Sequence, residues 1–143
     1  MAKKVFDIKK HVKSSWVSKR RSEVNQPWGK EQMWPGFDGI HGKTLFLKMG
    51  NRTSLKYHQL KAEVLFVRSG KVEAVYGDEL SLSDPVGHPM QSSILEEGMI
   101  LMVQSGCPYR LSAHTDCEII EIGNNIGDKP KRIEDDYGRK CES

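Results

Sequence analysis

The chain has 143 residues, 37% hydrophobic and 29% charged, a size that organises one hydrophobic core, and no stretch approaches the roughly 18 apolar residues of a membrane-spanning helix. Its net charge of +3 is uneven: residues 1 to 21 carry eight Lys/Arg against Asp7 alone, which leaves 14 Lys/Arg against 18 Asp/Glu elsewhere, so the body offers no basic face for nucleic acid. Cys107, Cys117 and Cys141 are an odd number without a CxxC pair, which excludes a disulfide framework and a thiolate zinc site.

In chain order, residues 1 to 25 read as a basic N-terminal extension and residues 26 to 143 as one domain with a C-terminal tail. MAKKVFDIKKHVKSSW lacks an apolar block and a small-residue cleavage site, so the expected location is cytoplasmic. Its Val5, Ile8, Val12 and Trp16 fall at helical intervals. Such an arm can contact phosphates, but a solvated or docked segment is the simpler reading, and a nucleic-acid role ranks last. Trp28 to Trp34 reads as an edge strand wrapping the domain.

From residue 43 onward, short apolar or alternating runs separated by Gly, Asp, Ser and Pro predict β-strands. They span Thr44 to Met49, Ser54 to His58, Glu63 to Arg68, Lys71 to Tyr76, Ser92 to Leu95, Met99 to Val103, Tyr109 to Ser112 and Cys117 to Ile122. Ser69-Gly70 and Gly77-Asp78 supply turns, and Ser81 to Gln91, with Pro85, Gly87 and Pro89, is an exposed loop. Strands at this spacing build either a sandwich or a jelly-roll barrel, and the Cys and Trp spacing of an immunoglobulin sandwich is absent.

Two stretches carry chemistry. GNRTSLKYHQLKAEVLFVRSG holds Gly50, His58, Glu63 and Gly70, and GMILMVQSGCPYRLSA holds Gly98, Gly106 and Tyr109. Together they resemble the two cupin motifs, Gly, His-x-His, Glu, Gly and then Gly, Pro-x-Gly, His, Asn. In the second, Gln104 replaces the proline, Tyr109 stands in the histidine's place and Ala113 replaces the asparagine. Over residues 26 to 139, QPWGKE, SLKYHQLKAE and RIEDDYGR are similar to the C-terminal cupin domain of type II mannose-6-phosphate isomerases and to related small stand-alone cupins. The resemblance implies an all-β, cupin-type jelly-roll barrel that pairs into a homodimer.

It further implies an isomerase or epimerase acting on, or a module binding, a sugar phosphate or nucleotide sugar. A non-catalytic sugar- or anion-binding module without metal is the alternative. His58 and Glu63 are the expected metal ligands, for iron, zinc or manganese if any metal is held, and with Lys61 they form the catalytic set. Lys61 stands where the family has arginine and loses its fork. Glu63 could act as general base with His58 as partner, or both could be hydrogen-bonded structural residues. Alternation puts Ser54, Lys56 and His58 on one face, and if that face is inward Lys56 contacts an anion. Of Tyr109 and Arg110, both substrate-binding candidates, one points inward and the other away. Tyr109 inside either donates to a sugar hydroxyl or fills a lost metal's space. The acidic and basic residues of RIEDDYGR read as a surface or dimer-contact network. His41, His88 and His114 become replacement ligands only if the fold brings them inward.

Overall fold

In the computed structural model, residues 12–125 and 127–142 are described. They form eleven strands: β1 (Ser22–Gln26), β2 (Gly29–Met33), β3 (His41–Leu47), β4 (Leu55–Tyr57), β5 (Glu63–Ser69), β6 (Val72–Tyr76), β7 (Gln91–Leu95), β8 (Ile100–Val103), β9 (Tyr109–Ala113), β10 (Cys117–Gly123) and β11 (Lys131–Glu134). All ladders are antiparallel, in a six-stranded sheet ordered β1-β2-β3-β10-β5-β8 and a five-stranded sheet ordered β11-β4-β9-β6-β7. The expected jelly-roll takes the form of these two facing sheets.

Alternation explains the packing. On β5 the odd positions Glu63, Leu65 and Val67 are buried, and on β10 Cys117, Ile119 and Glu121 are. Leu47, Leu65, Val67, Val72, Leu111 and Ile119, each at most 1% exposed, interdigitate as the core with Trp28. Burying each large aliphatic side chain contributes about 1.5–3 kcal/mol.

The eight expected strands all occur, shifted by at most a few residues at their ends. Three features differ. Trp28 to Trp34 is not an edge: β2 lies between β1 and β3, because β1, whose SEVNQ carries almost no apolar signal, closes a tight hairpin at Gln26↔Gly29. That turn needs glycine, since a Cβ on Gly29 would lie 1.8 Å from the Phe46 carbonyl oxygen. β1 also straddles the boundary expected at residue 25. Val12 and Trp16 are in irregular, exposed chain rather than a helix, with Trp16 edge-on to Phe37 at 5.3 Å, while Val5 and Ile8 lie outside the described residues.

The tail folds back on its own chain. β11 pairs with β4, Arg52 grips Asp136 at 2.5 and 2.8 Å, and Arg139 bonds Asp135 at 2.8 Å and Gln26 at 3.3 Å. Among the described residues no helix is long and apolar enough to cross a membrane. The three cysteines are free, with Cys117 buried and Cys107 and Cys141 part-buried.

Candidate functional site

Between the sheets lies a cavity of about 300 Å³. Its walls come from β3 (His41, Lys43), β4 (Lys56), His58, Lys61, β5 (Glu63), β9 (Tyr109) and β10 (Glu121), and Asp128, Lys129, Arg132 and Arg139 border it from the tail side. The six Lys/Arg named here outnumber the three acidic residues, and adding Glu31, which also lines the cavity, still leaves a positive balance.

The charged side chains form one continuous chain. Glu31 meets Lys43 at 3.0 Å, Lys43 meets Glu121 at 3.6 Å, and Lys61 bridges Glu121 (3.3 Å) and Glu63 (3.4 Å). Glu63 then approaches His58 Nε2 at 3.4 Å, and His58 Nδ1 faces Asp128 at 3.7 Å. Sheet register builds this chain: β10 pairs Glu121 with Lys43 on β3 and places Gly123 opposite both His41 and Glu63. Gly123 leaves room for its neighbours, because a Cβ there would come within 2.7 Å of Lys61 Cε and 2.8 Å of His41 Nε2.

Burial divides the proton affinities of these groups. For Glu63 burial pushes the carboxyl upward, but the charges of Lys61 and Lys56 and the hydrogen bond from Tyr109 are among the influences that outweigh it, so it sits below the usual range and is ionised at neutral pH. Glu121 is raised by burial and by the Glu63 charge against the pull of Lys43 and Lys61. Burial lowers Lys56 to about 8; its amine lies 4.6 Å over the Tyr109 ring. Burial first, then Lys61 and Lys56, lowers His58 to about 4, so its imidazole is neutral. Two carboxylates with values pushed apart are the usual arrangement of an acid and a base.

The His58 shift predicts a pH dependence. Its folded value lies below the ordinary 6.5, so the unfolded chain binds the extra proton, and stability is full above 6.5 and falls as pH drops toward 4. The loss is expected to be about 1–2 kcal/mol after solvent screening. Urea midpoints measured from pH 7 to 4 should show it, and His58→Asn should flatten that part of the slope. Parallel losses in both proteins would assign the slope to other groups.

The structure brings His58, Lys61, Glu63, Lys56 and Tyr109 together in one cavity. Tyr109 donates its hydroxyl to Glu63 Oε1 at 2.9 Å, so that hydroxyl is committed to the carboxylate rather than to a ligand. Arg110 turns the other way: 5% exposed, it donates to the Thr53 carbonyl at 2.8 Å and to Glu134 at 3.3 Å, clamping the tail instead of lining the cavity. The RIEDDYGR tail, expected to serve surface contacts, brings Arg132 and Arg139 to the cavity border. Sequence reasoning missed Glu121 and Lys43; the signal for Glu121 was a charged residue at a buried position of an alternating strand, and Lys43, part-buried, faces it across the β3–β10 ladder. Of the three spare histidines, only His41 lines this cavity.

The donor set does not fit a divalent metal as it stands. Among the described residues no three His, Cys, Asp or Glu side chains are gathered to hold one. Lys61 lies between the two carboxylates that a bridging cation would need.

The sequence matches no family model and no curated protein. Solved structures do match. KdgF from a Halomonas species aligns with TM-score 0.62 and 10% identity, covering 80% of this chain and 94% of that one. Vicilin from hazelnut (Corylus avellana) aligns with TM-score 0.65 and 14% identity, over 80% of this chain and 34% of that one. The capsular polysaccharide assembling protein CapF from Staphylococcus aureus aligns with TM-score 0.65 and 15% identity, over 82% of this chain and 33% of that one. The chain thus spans about a third of vicilin and of CapF. These are cupin-fold proteins, and the structural alignments together with the two antiparallel sheets give this chain the cupin-type jelly-roll fold.

Proposed function

We propose that this small cupin binds a phosphorylated or nucleotide-linked sugar in its cavity and moves a proton on it, as an isomerase or epimerase does. One observation carries the reading: His41 Nε2, His58 Nδ1 and Glu63 Oε2 are, among the described residues, the buried side-chain atoms without a hydrogen bond, and all three belong to cavity-lining residues. Buried polar groups are nearly always paired, so a cluster of open valences in one cavity favours a polar ligand there. Moving a proton between adjacent carbons needs a base, a stabiliser for the developing oxyanion, and cations for the anionic part. Ionised Glu63 suits the first role, Lys61 and Lys56 the second, and Lys129 and Arg132 at the border the third.

Thermal unfolding with a panel of sugars, sugar phosphates and nucleotide sugars tests the binding, since a ligand of the folded state raises its stability by about 2.7 kcal/mol at a hundredfold excess over Kd. Stabilisation by phosphorylated or nucleotide-linked members is expected, and no shift across the panel refutes the reading. Mannose 6-phosphate is the first substrate to assay, by formation of fructose 6-phosphate. A second reading, a binding module without catalysis, draws on Lys61 and Tyr109, which already engage Glu63. Stabilisation without turnover of any bound sugar would select it.

The same reading includes a homodimer in the cytoplasm. Val64, Met102 and Ile122 lie side by side on the outer face of the six-stranded sheet, exposed, with Ile100 beside them. Contiguous apolar surface of this kind favours a protein contact.

A further inference from the structure

The basic start of the chain plays no part in the cavity: none of residues 12–21 lines it. Residues 1 to 21 nevertheless hold eight Lys/Arg against Asp7 alone, a bias the rest of the chain does not share. The described part of this arm is irregular and exposed, yet it is anchored at both ends. Trp16 meets the Phe37 ring edge-on at 5.3 Å, and Phe37 is itself held by paired backbone bonds with Ile40 at 2.9 and 3.1 Å. At its other end the arm runs into β1, whose register Ser22↔Met33 brings the preceding residues alongside Trp34.

The result is a groove of about 470 Å³ lined by Ser18, Lys19, Arg20, Arg21, Trp34 and Pro35, with no acidic residue among its described lining. Trp34 is 40% exposed, a large aromatic surface left open. Its six-membered ring rests on the bare backbone of Gly42, where a Cβ would fall 2.2 Å from Cε3 and 2.4 Å from Cζ3. The Trp34 amide also donates to the Gly42 carbonyl at 3.0 Å, so the indole is seated on the β2–β3 hairpin before any ligand arrives. A positively charged groove beside an aromatic platform is how single strands are held: phosphates pair with the cations, and any base can stack because every base has a π-face. A basic arm that lies on anionic lipid is instead an amphipathic helix with its apolar face inserted. Residues 12–21 form no helix, and Trp16 is committed to Phe37.

We propose that the basic arm and Trp34 form a binding surface for single-stranded nucleic acid, with a base stacked on the indole and the adjoining phosphates paired with Lys19, Arg20 and Arg21. The four further lysines of residues 1 to 11 add positive charge to the same arm. Trp34 also borders the cavity, but none of the residues assigned to sugar chemistry takes part. The inference therefore goes beyond the sugar reading and does not depend on it.

The test is fluorescence anisotropy of labelled oligouridylate and oligothymidylate of about 16 nucleotides, titrated with the full chain over a range of salt. Binding is expected, and more tightly to single strands than to a duplex of the same length, although the duplex has the denser charge. The triple variant Lys19→Gln/Arg20→Gln/Arg21→Gln should bind more weakly and lose about 2 from the slope of log K against log salt, at about 0.7 per phosphate contact. Trp34→Leu should weaken binding about tenfold with the slope unchanged, and Trp34→Phe should recover most of that loss. Should Trp34→Leu fail to fold, an abasic strand of equal length replaces it, and wild type should bind that strand about tenfold more weakly than the normal one. The ratio of the oligouridylate and oligothymidylate affinities tells RNA from DNA as the source. No binding at low salt overturns the proposal, as does a duplex bound at least as tightly, or normal and abasic strands bound equally. Uptake on phosphatidylserine vesicles without oligonucleotide binding also overturns it and assigns the arm to a membrane surface.

Discussion

Lys61→Met is expected to destabilise the protein by about 3 kcal/mol at pH 7.5 and by much less at pH 5.5. Methionine has similar length and reasonable packing, so the change removes charge more than volume. Breaking a buried ion pair by deleting one partner typically costs about 3–5 kcal/mol because the other is left uncompensated. Glu121 keeps Lys43 at 3.6 Å, which places the cost at the lower end. Without Lys61, Glu63 and Glu121 repel one another in a shielded space, and their folded-state proton affinities rise. A carboxyl raised on folding binds a proton in the native state, so its penalty is relieved as pH falls. Urea unfolding of variant and wild type at both pH values, repeated in a His58→Asn background because Lys61 itself helps to lower the His58 value, checks this. Equal losses at the two values would mean that packing, not charge, is the role of Lys61.

Glu63→Gln is expected to lower turnover of the sugar that stabilises the protein by about 10²–10⁴-fold while leaving KM within a few fold. The amide keeps the shape and still accepts the Tyr109 hydroxyl, now 2.9 Å from Glu63 Oε1, but it cannot take a proton. Its stability should change less than that of Lys61→Met, since Lys61 retains Glu121 at 3.3 Å. Steady-state kinetics with wild type and variant decide. Unchanged kcat would move the base elsewhere in the cavity, and a raised KM at constant kcat would make Glu63 a binding group only.

Much of this was legible in the chain because strand signals are local. Glu63-Val64-Leu65-Phe66-Val67 and Cys117-Glu118-Ile119 alternate, and alternation states which side chains share a face before any partner strand is known. The resemblance to the cupin motifs likewise singled out His58, Glu63 and Tyr109, and all three line the cavity. β1 was not legible: Ser22–Gln26 has no apolar face, and it is a strand because the hairpin at Gly29 brings it to β2. Arg110 stands among the ligand candidates because alternation leaves open which of Tyr109 and Arg110 points inward; both are buried because the tail supplies a second covered surface around Glu134 and Asp136.

By itself, then, the sequence determined an all-β jelly roll, the face on which Lys56 and His58 stand, and a motif from which ligand histidines are missing. Only the tertiary structure decided what meets Glu63. Lys43, Glu121 and His41 lie far from it along the chain, and they arrive beside it through the registers Glu121↔Lys43 and Gly123↔His41 on one flank and Gly123↔Glu63 on the other. Register is a non-local property, set by which buried faces fit against each other and not by any one strand's residues. The physical reason is that a charge gains its meaning from neighbours a few ångströms away: Lys61 reads in sequence as a weakened arginine, and in the folded chain it is the cation between two carboxylates.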